Sequence, residues 1–193
     1  MKPLPVGKVW APSHTEEIFN PRSFKVLVDK TCKAVVKLRR KLKFQCLAAT
    51  GNSGVLLAGA VSYKLGIPLL IVRKKGDDCH DSLRVNGYRT NGQCRYLIVD
   101  DLIASGDTVR RIMKLVDDGH KYDMENRSWD TTIHDNEPPV CAGILLYSSN
   151  YNDPELFQDT NVTIYSVGHV ATPRAIKTYS DCVAELDKAL RKT

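Results

Sequence analysis

The sequence has 193 residues, of which 42% are hydrophobic and 26% charged, and its formal net charge is +6. The length favours a single domain, and the composition excludes a disordered or fibrous chain. The positive excess, which we interpret as modest and spread along the chain, fits an anionic small substrate and also weak contact with nucleic acid, and charge alone does not choose between them. Because no RNA-binding aromatic motif or zinc-finger spacing accompanies it, we disfavour a nucleic-acid partner.

Cysteine spacing and hydropathy indicate the cellular compartment of the protein. The six cysteines include no Cys-x-x-Cys pair, which predicts reduced thiols. Residues 1–10 lack the apolar stretch of a secretory signal, and the longest apolar run, Val55–Val61, is too short to cross a bilayer. We therefore expect a soluble, cytoplasmic protein without a membrane partner.

The first half of the chain predicts two helix–strand units. Apolar residues recur at helical spacing from about Arg22 to Lys43, which predicts an amphipathic helix. Phe44–Ala49 predicts a buried strand, Val55–Leu65 a helix and Ile67–Val72 a second strand. Thr50–Gly54 is predicted as a turn that could also begin the helix.

The second half begins with a polar stretch. Arg73–Cys94 predicts a long loop with a weak hairpin around Asn86 and Gly87. Further strands are predicted at Arg95–Val99, Val140–Tyr147 and Val162–Val167, with helices at Thr108–Asp118 and over 176–190. Strands that alternate with helices predict an α/β fold, in which a central, mainly parallel sheet is flanked by helices on both faces. Ligands of such sheets bind at the carboxyl ends of the strands.

The segment Tyr96–Thr108 carries the strongest functional signal. A buried strand delivers Asp100 and Asp101 to the carboxyl edge of the sheet, and a loop of small residues then leads into a helix. Free N–H groups at the helix start, with the hydroxyls of Ser105 and Thr108, would cradle a phosphate. The carboxylates could accept hydrogen bonds from sugar hydroxyls or hold Mg²⁺ indirectly. The alternative is a solvated strand end before an ordinary helix cap, and we disfavour it because adjacent acids repel each other without a ligand or cation.

This segment resembles the signature with which type I phosphoribosyltransferases bind phosphoribosyl pyrophosphate (PRPP). Apolar strand, two acids, two apolar residues and a small-Ser/Thr-Gly-x-Thr turn follow one another in the same order. The resemblance implies that Asp100 and Asp101 are catalytic and contact the ribose hydroxyls, and that any contact with Mg²⁺ runs through PRPP hydroxyls or water. It also implies that the 5′-phosphate is wrapped by Ala104, Ser105, Gly106, Asp107 and Thr108.

A second loop matches the family by its place in the chain. Thr50–Gly54 follows the first strand, where the family has its pyrophosphate-binding loop, so the resemblance makes Thr50, Gly51 and Asn52 candidate PRPP ligands. Glycines there allow backbone amides to approach an anion closely.

The basic run Arg73, Lys74 and Lys75 opens the long polar stretch. The resemblance implies a mobile lid at about 74–94, with Lys74 catalytic and with Arg73 and Lys75 binding PRPP. Cations at this place would neutralise the departing pyrophosphate. The adenine and orotate branches carry a further lysine a few residues later, whereas this chain reads Asp77–Asp81, which leaves the other lid contacts open.

The resemblance also implies a domain plan and a reaction. It predicts one phosphoribosyltransferase domain over 1–193, with a core at about 22–170 and a hood from 1–21 and 168–193 that selects the base. The implied reaction is Mg²⁺-dependent transfer of 5-phosphoribosyl from PRPP to a purine or pyrimidine base by a homodimer, with pyrophosphate as the second product. Such a reaction serves nucleotide salvage.

Other assignments stay open at this point. Trp10, Trp129, Tyr147 and Tyr151 could stack on a base, although ordinary packing is the commoner role of such aromatic residues. A PRPP-sensing regulator or an RNA-binding protein on the same fold is an alternative to the enzyme. A PRPP-synthesising enzyme is a further alternative, which we disfavour because the chain carries a single signature.

Overall fold

The computed structural model describes residues 16–74, 84–87, 94–103, 106–125, 137–148 and 162–167. Within them the helices are α1 (Glu16–Phe19), α2 (Pro21–Leu42), α3 (Gly51–Leu65) and α4 (Asp107–Glu125). The strands are β1 (Cys46–Thr50), β2 (Leu69–Val72), β3 (Val85–Gly87), β4 (Arg95–Asp100), β5 (Val140–Leu146) and β6 (Ile164–Ser166).

The strands form one sheet in the order β3-β2-β1-β4-β5-β6. Every neighbouring pair is parallel except β2 with β3. The predicted α/β class with a mainly parallel sheet is therefore confirmed. Because β1 and β4 are parallel neighbours, the loops that follow them emerge side by side at the carboxyl edge.

Apolar packing covers both faces of the sheet. Successive residues of a strand point to opposite faces, so Leu97 of β4 joins the cluster beneath α2 and α3, whereas Ile98 joins the cluster beneath α4. Both side chains are fully buried. Burial on both sides explains why β4 is a nearly continuous apolar run rather than an alternating one.

Helix α2 follows its prediction closely. Asn20 caps its start, where the side-chain oxygen accepts a hydrogen bond from Arg22 N at 3.0 Å, and Pro21 occupies the first turn. Lys43 ends the helix in the left-handed conformation, with φ at 56°. Most apolar positions from Leu27 to Leu38 face the core, with Val36 the exposed exception, and the many basic side chains between them face outward.

Two elements differ from their predicted extents. Helix α3 begins at Gly51 rather than at Val55, so Thr50–Gly54 begins the helix, which is the alternative that the sequence left open for this segment. Helix α4 runs past Asp118 to Glu125. Ion pairs one turn apart support this extension, since Lys114 contacts Asp118 and Lys121 contacts Asp117.

The hairpin prediction at Asn86 and Gly87 is wrong about the turn. Both residues lie in β3, where Asn86 pairs with Ile71 and Gly87 with Leu70. Gly87 has a φ of 120°, and a methyl group there would lie 2.1 Å from Leu69 O. This position needs glycine because the neighbouring strand comes so close, not because the chain reverses there.

Among the helices of the described residues, none has both the length and the apolarity that crossing a bilayer requires.

Candidate active site

A polar cleft lies at the carboxyl edge of the sheet, with a volume of about 170 Å³. Seven of the predicted site residues line it: Thr50, Gly51, Lys74, Asp100, Asp101, Gly106 and Thr108. The ends of β1 and β4 and the starts of α3 and α4 thus converge on one place. The predicted phosphate cradle and the predicted pyrophosphate loop face the same cleft.

Thr50 ends β1 and precedes α3. Its Oγ1 donates a hydrogen bond to Val72 O at 2.5 Å, which ties the end of β1 to the end of β2. Because the hydroxyl is used there, it does not cap the first N–H groups of α3. Those amides therefore keep the donors and the partial positive charge with which a helix start binds an anion.

Lys74 lies over this helix start. Gly51 has a φ of 66°, and a methyl group on it would lie 2.8 Å from Lys74 Cε and 3.0 Å from Lys74 Nζ. The glycine therefore gives the lysine side chain room against the backbone. The result is an ammonium group beside a helix N-terminus, which favours a multiply charged anion.

The two acids differ in their surroundings. Asp100 is 6% exposed, whereas Asp101 is half-buried. Burial, reinforced by the charge of Asp101, raises the pKa of Asp100 to about 7, and Lys74 partly opposes that rise. Near neutral pH, Asp100 can therefore be protonated or ionised, and a ligand that donates hydrogen bonds or carries a cation favours the ionised form.

Asp101 is held from several sides. Its Oδ1 accepts a hydrogen bond from Leu102 N at 2.8 Å, and its Oδ2 accepts one from Ser53 Oγ at 3.1 Å. Its carbonyl oxygen accepts a hydrogen bond from Ser148 N at 3.1 Å, which extends the pairing of β4 and β5 beyond both strands. The carboxylate therefore enters the cleft with its orientation fixed.

Tyr147, which follows β5, lies behind the acids. Its hydroxyl is buried beside the hydroxyl of Ser53. Burial and the nearby charge of Asp101 hold the pKa of Tyr147 above its usual range. Of the four aromatic candidates for base stacking, Tyr147 is half-buried here, and Trp10, Trp129 and Tyr151 lie outside the described residues.

Some predicted residues do not line the cleft. Asn52 is exposed in the first turn of α3. Asp107 is exposed at the start of α4, where its Oδ1 lies 3.7 Å from Arg110 Nη1. Arg73 is engaged elsewhere: with the Asn86 amide oxygen facing it, that oxygen accepts from Arg73 Nη2 at 2.7 Å and from Arg73 Nε at 3.0 Å.

Three predicted PRPP ligands, Lys75, Ala104 and Ser105, lie outside the described residues. Conversely, one residue of the site was not predicted from the sequence: Ser53, which donates a hydrogen bond to Asp101. The signal available was a hydroxyl in the first turn after β1, which becomes informative only once β1 and β4 are known to be neighbours.

Comparison with known proteins supports the same family. No protein-family model matches the chain. It is 30% identical over 115 residues to the adenine phosphoribosyltransferase of Parvibaculum lavamentivorans, which covers 53% of this chain and 63% of that protein. It is 27% identical over 106 residues to the orotate phosphoribosyltransferase of Agrobacterium fabrum, which covers 51% of this chain and 45% of that protein. The match thus spans less than two thirds of either relative.

Solved structures share the fold. The adenine phosphoribosyltransferase of Thermoanaerobacter pseudethanolicus superposes with a TM-score of 0.53 at 19% identity, over 79% of this chain and 84% of that one. The orotate phosphoribosyltransferase of Aeropyrum pernix superposes with a TM-score of 0.55 at 15% identity, over 82% of this chain and 77% of that one. The sequence relatives are adenine and orotate phosphoribosyltransferases and the solved structures share the fold, so both comparisons agree with the resemblance of the Tyr96–Thr108 segment to type I phosphoribosyltransferases.

Proposed function

We propose that this protein transfers the 5-phosphoribosyl group of PRPP to a ring nitrogen of a purine or pyrimidine base and releases pyrophosphate. The observation that carries the proposal is the cleft in which Asp100 and Asp101 lie between two helix starts and beside Lys74. The adenine and orotate phosphoribosyltransferases among its sequence relatives support the same reaction class.

The cleft offers a separate partner for each part of PRPP. Gly106 and Thr108, at the start of α4, would receive the 5′-phosphate. The carboxylates of Asp100 and Asp101 would accept hydrogen bonds from the ribose hydroxyls. The start of α3 at Gly51, with the ammonium group of Lys74, would receive the pyrophosphate.

Transfer needs positioning and charge neutralisation more than a nucleophilic side chain. As the bond between C1 and the pyrophosphate oxygen breaks, positive charge develops on the sugar and negative charge on the leaving group. Lys74 would stabilise the leaving group, and the carboxylates would hold the sugar so that the base nitrogen reaches C1 from the opposite side. The electron pair of that nitrogen forms the new bond, pyrophosphate departs with the electrons of the old one, and the proton of the ring nitrogen passes to pyrophosphate or water.

Mg²⁺ fits the donor set as an indirectly held ion. It prefers oxygen ligands and keeps several waters, so one or two carboxylates suffice beside a phosphorylated substrate. No group of three or more candidate metal ligands occurs within the described ranges. We propose that PRPP and water are the main ligands of the ion and that Asp100 and Asp101 contact it indirectly, through PRPP hydroxyls or water. When bound, Mg²⁺ would supply neutralising charge to the pyrophosphate.

The remaining parts of the proposal rest on the resemblance. We propose a homodimer in the cytoplasm, and adenine as the first acceptor to test, because more than one of the sequence relatives is an adenine phosphoribosyltransferase. Orotate is the second, because the relative from Agrobacterium fabrum bears that name.

The experiment is a panel of bases with PRPP and Mg²⁺, scored by pyrophosphate release. The double variant Asp100→Asn/Asp101→Asn should lose roughly 10²- to 10⁴-fold in activity, since each lost charged hydrogen bond costs about 1.5–3 kcal/mol. The variant Asp117→Asn/Asp118→Asn on α4 removes the same charge away from the cleft and should keep near-normal activity. Near-normal activity in the first variant, or no release with any base, would contradict the proposal.

A further inference from the structure

A single helix holds the whole positive excess of this protein. The complete chain has 28 basic and 22 acidic residues. Helix α2 contains one acid, Asp29, and eight of the basic residues, which are Arg22, Lys25, Lys30, Lys33, Lys37, Arg39, Arg40 and Lys41. The helix therefore carries a net charge of +7, and the rest of the chain, with twenty basic and twenty-one acidic residues, carries −1. The interpretation that the excess is spread along the chain is wrong.

The fold turns this charge outward along one stripe. Lys30, Lys33, Lys37 and Arg40 follow one another at spacings of three or four residues, so they lie on one side of α2, and all four are exposed. At 1.5 Å per residue the stripe is about 15 Å long. Successive phosphates of a stacked nucleic-acid strand lie about 3.4 Å apart along its axis, so the stripe matches roughly four of them.

The one acid of α2 does not oppose an incoming anion. Asp29 forms an ion pair with Lys64 at the end of α3, and this contact lowers the pKa of Asp29. The charges of the stripe itself, on Lys30, Lys33, Lys37 and Arg40, are all of one sign. Exposed charges of one sign attract a polyanion, and the attraction falls as salt rises.

Between α2 and α3 the surface has an apolar floor. A groove there is lined by Val36 and Leu65, with Lys33, Lys37 and Arg40 along its side. Val36 is 40% exposed, although its neighbours along the helix are either buried or charged. Cations beside an exposed apolar floor fit a ligand that presents phosphates and flat apolar faces together.

We propose that this α2 surface, formed by Lys30, Lys33, Lys37 and Arg40 with Val36 and Leu65, binds single-stranded nucleic acid. The cations would contact successive phosphates, and unpaired bases would make apolar contacts with Val36 and Leu65. A duplex hides its base faces, so it would use only the cations. A membrane would need a broad apolar face to insert, whereas most apolar residues of α2 are buried in the core and Val36 and Val26 are its exposed ones. None of these residues lines the cleft, so the inference stands apart from the proposed reaction.

The test is fluorescence anisotropy with a labelled 12-nucleotide single strand, as RNA and as DNA, titrated between 50 and 200 mM KCl. The triple variant Lys30→Gln/Lys33→Gln/Arg40→Gln should weaken binding more than tenfold at 50 mM. It should also reduce the slope of log K against log salt by about 2, since each phosphate contact on a single strand contributes about 0.7. If one of the two strands, RNA or DNA, binds more tightly, that strand is identified as the physiological ligand. Tighter binding of RNA and tighter binding of DNA both support the proposed surface.

A charge-matched control separates this surface from overall charge. The variant Arg110→Gln/Lys114→Gln/Lys121→Gln on α4 removes three charges from the other face of the sheet and should bind like the parent. Equal weakening by the two variants would overturn the inference, as would a duplex of the same sequence that binds better than the single strand. Anionic phospholipid vesicles or a polyglutamate peptide that bind through α2 while the oligonucleotides do not would overturn it too. Circular dichroism confirms that every variant is folded.

Discussion

Ser53 and Asp101 are joined by a hydrogen bond of 3.1 Å, from Oγ of the first turn of α3 to Oδ2 at the end of β4. The two residues are 48 positions apart in the sequence, yet this bond links the candidate pyrophosphate loop to the candidate ribose-binding acids. The other oxygen of the same carboxylate accepts from Leu102 N. Donors on both oxygens fix the plane of the carboxylate before a ligand enters, which reduces the ordering cost of binding.

Replacement of Ser53 by alanine should therefore loosen Asp101 without unfolding the protein. We expect KM for PRPP to rise about fivefold, which corresponds to a hydrogen bond of roughly 1 kcal/mol. Ser62→Ala is the matched control, because Ser62 Oγ donates to Ile67 O at 2.6 Å at the opposite end of the same helix. It should lower the free energy of unfolding by a similar amount and leave KM unchanged. Equal KM values for the two variants would argue against the positioning role of Ser53.

The raised pKa of Asp100 predicts a pH dependence of stability. The native carboxyl has a pKa of about 7 against an ordinary value of 3.8, so the native state binds more protons than the unfolded state between these pH values. The contribution of Asp100 to the free energy of unfolding is therefore greatest below pH 4. It decreases as the pH rises towards 7 and is constant at higher pH. A tenfold difference between the two acid dissociation constants corresponds to roughly 1.4 kcal/mol of stability, and relaxation around the ionised carboxylate reduces the total.

The variant Asp100→Asn should flatten this dependence. We expect it to be more stable than the parent by about 1–3 kcal/mol at pH 8 and similar to the parent at pH 4, because an amide never ionises in the buried position. The same change should weaken PRPP binding, since the ionised acid is the better acceptor for ribose hydroxyls. Urea unfolding at pH 4, 6 and 8 measures the first effect, and parallel curves for the two proteins would refute it.

The sequence predicted the fold and half of the site for a physical reason. Apolar periodicity and the Asp100–Asp101 pair are local, and they predicted both the buried strand β4 and the acids at its end. The diversion of Arg73 to Asn86 could not be predicted, because it depends on the antiparallel pairing of β3 with β2. The charge of α2 was visible in the sequence, but its meaning as a surface needed the burial of the opposite helix face.

A methyl group at Gly51 should disturb the lysine above it. The change Gly51→Ala forces a side chain into a φ of 66° and towards Lys74 Cε. We expect a loss of about 1–2 kcal/mol in the free energy of unfolding, from the left-handed conformation, together with a higher KM for PRPP as Lys74 moves. Gly59→Ala is the control, because nothing lies within 4 Å of a methyl group there and alanine favours the helix. That variant should gain about 0.5–1 kcal/mol with unchanged KM.

The role of Arg73 can be decided by a double-mutant cycle with Asn86. If its guanidinium acts through the Asn86 amide, Arg73→Ala and Asn86→Ala should each cost about 1–2 kcal/mol in stability, and the double variant should cost little more than either. Urea unfolding of the four proteins measures this coupling. KM for PRPP provides the contrast, because a pyrophosphate ligand would raise KM on Arg73→Ala and leave it unchanged on Asn86→Ala. The contacts of the side chain with β3 favour the structural outcome, namely strong coupling and similar, small KM changes in both single variants. Additive stability losses with a KM effect confined to Arg73 would instead assign this arginine to the ligand.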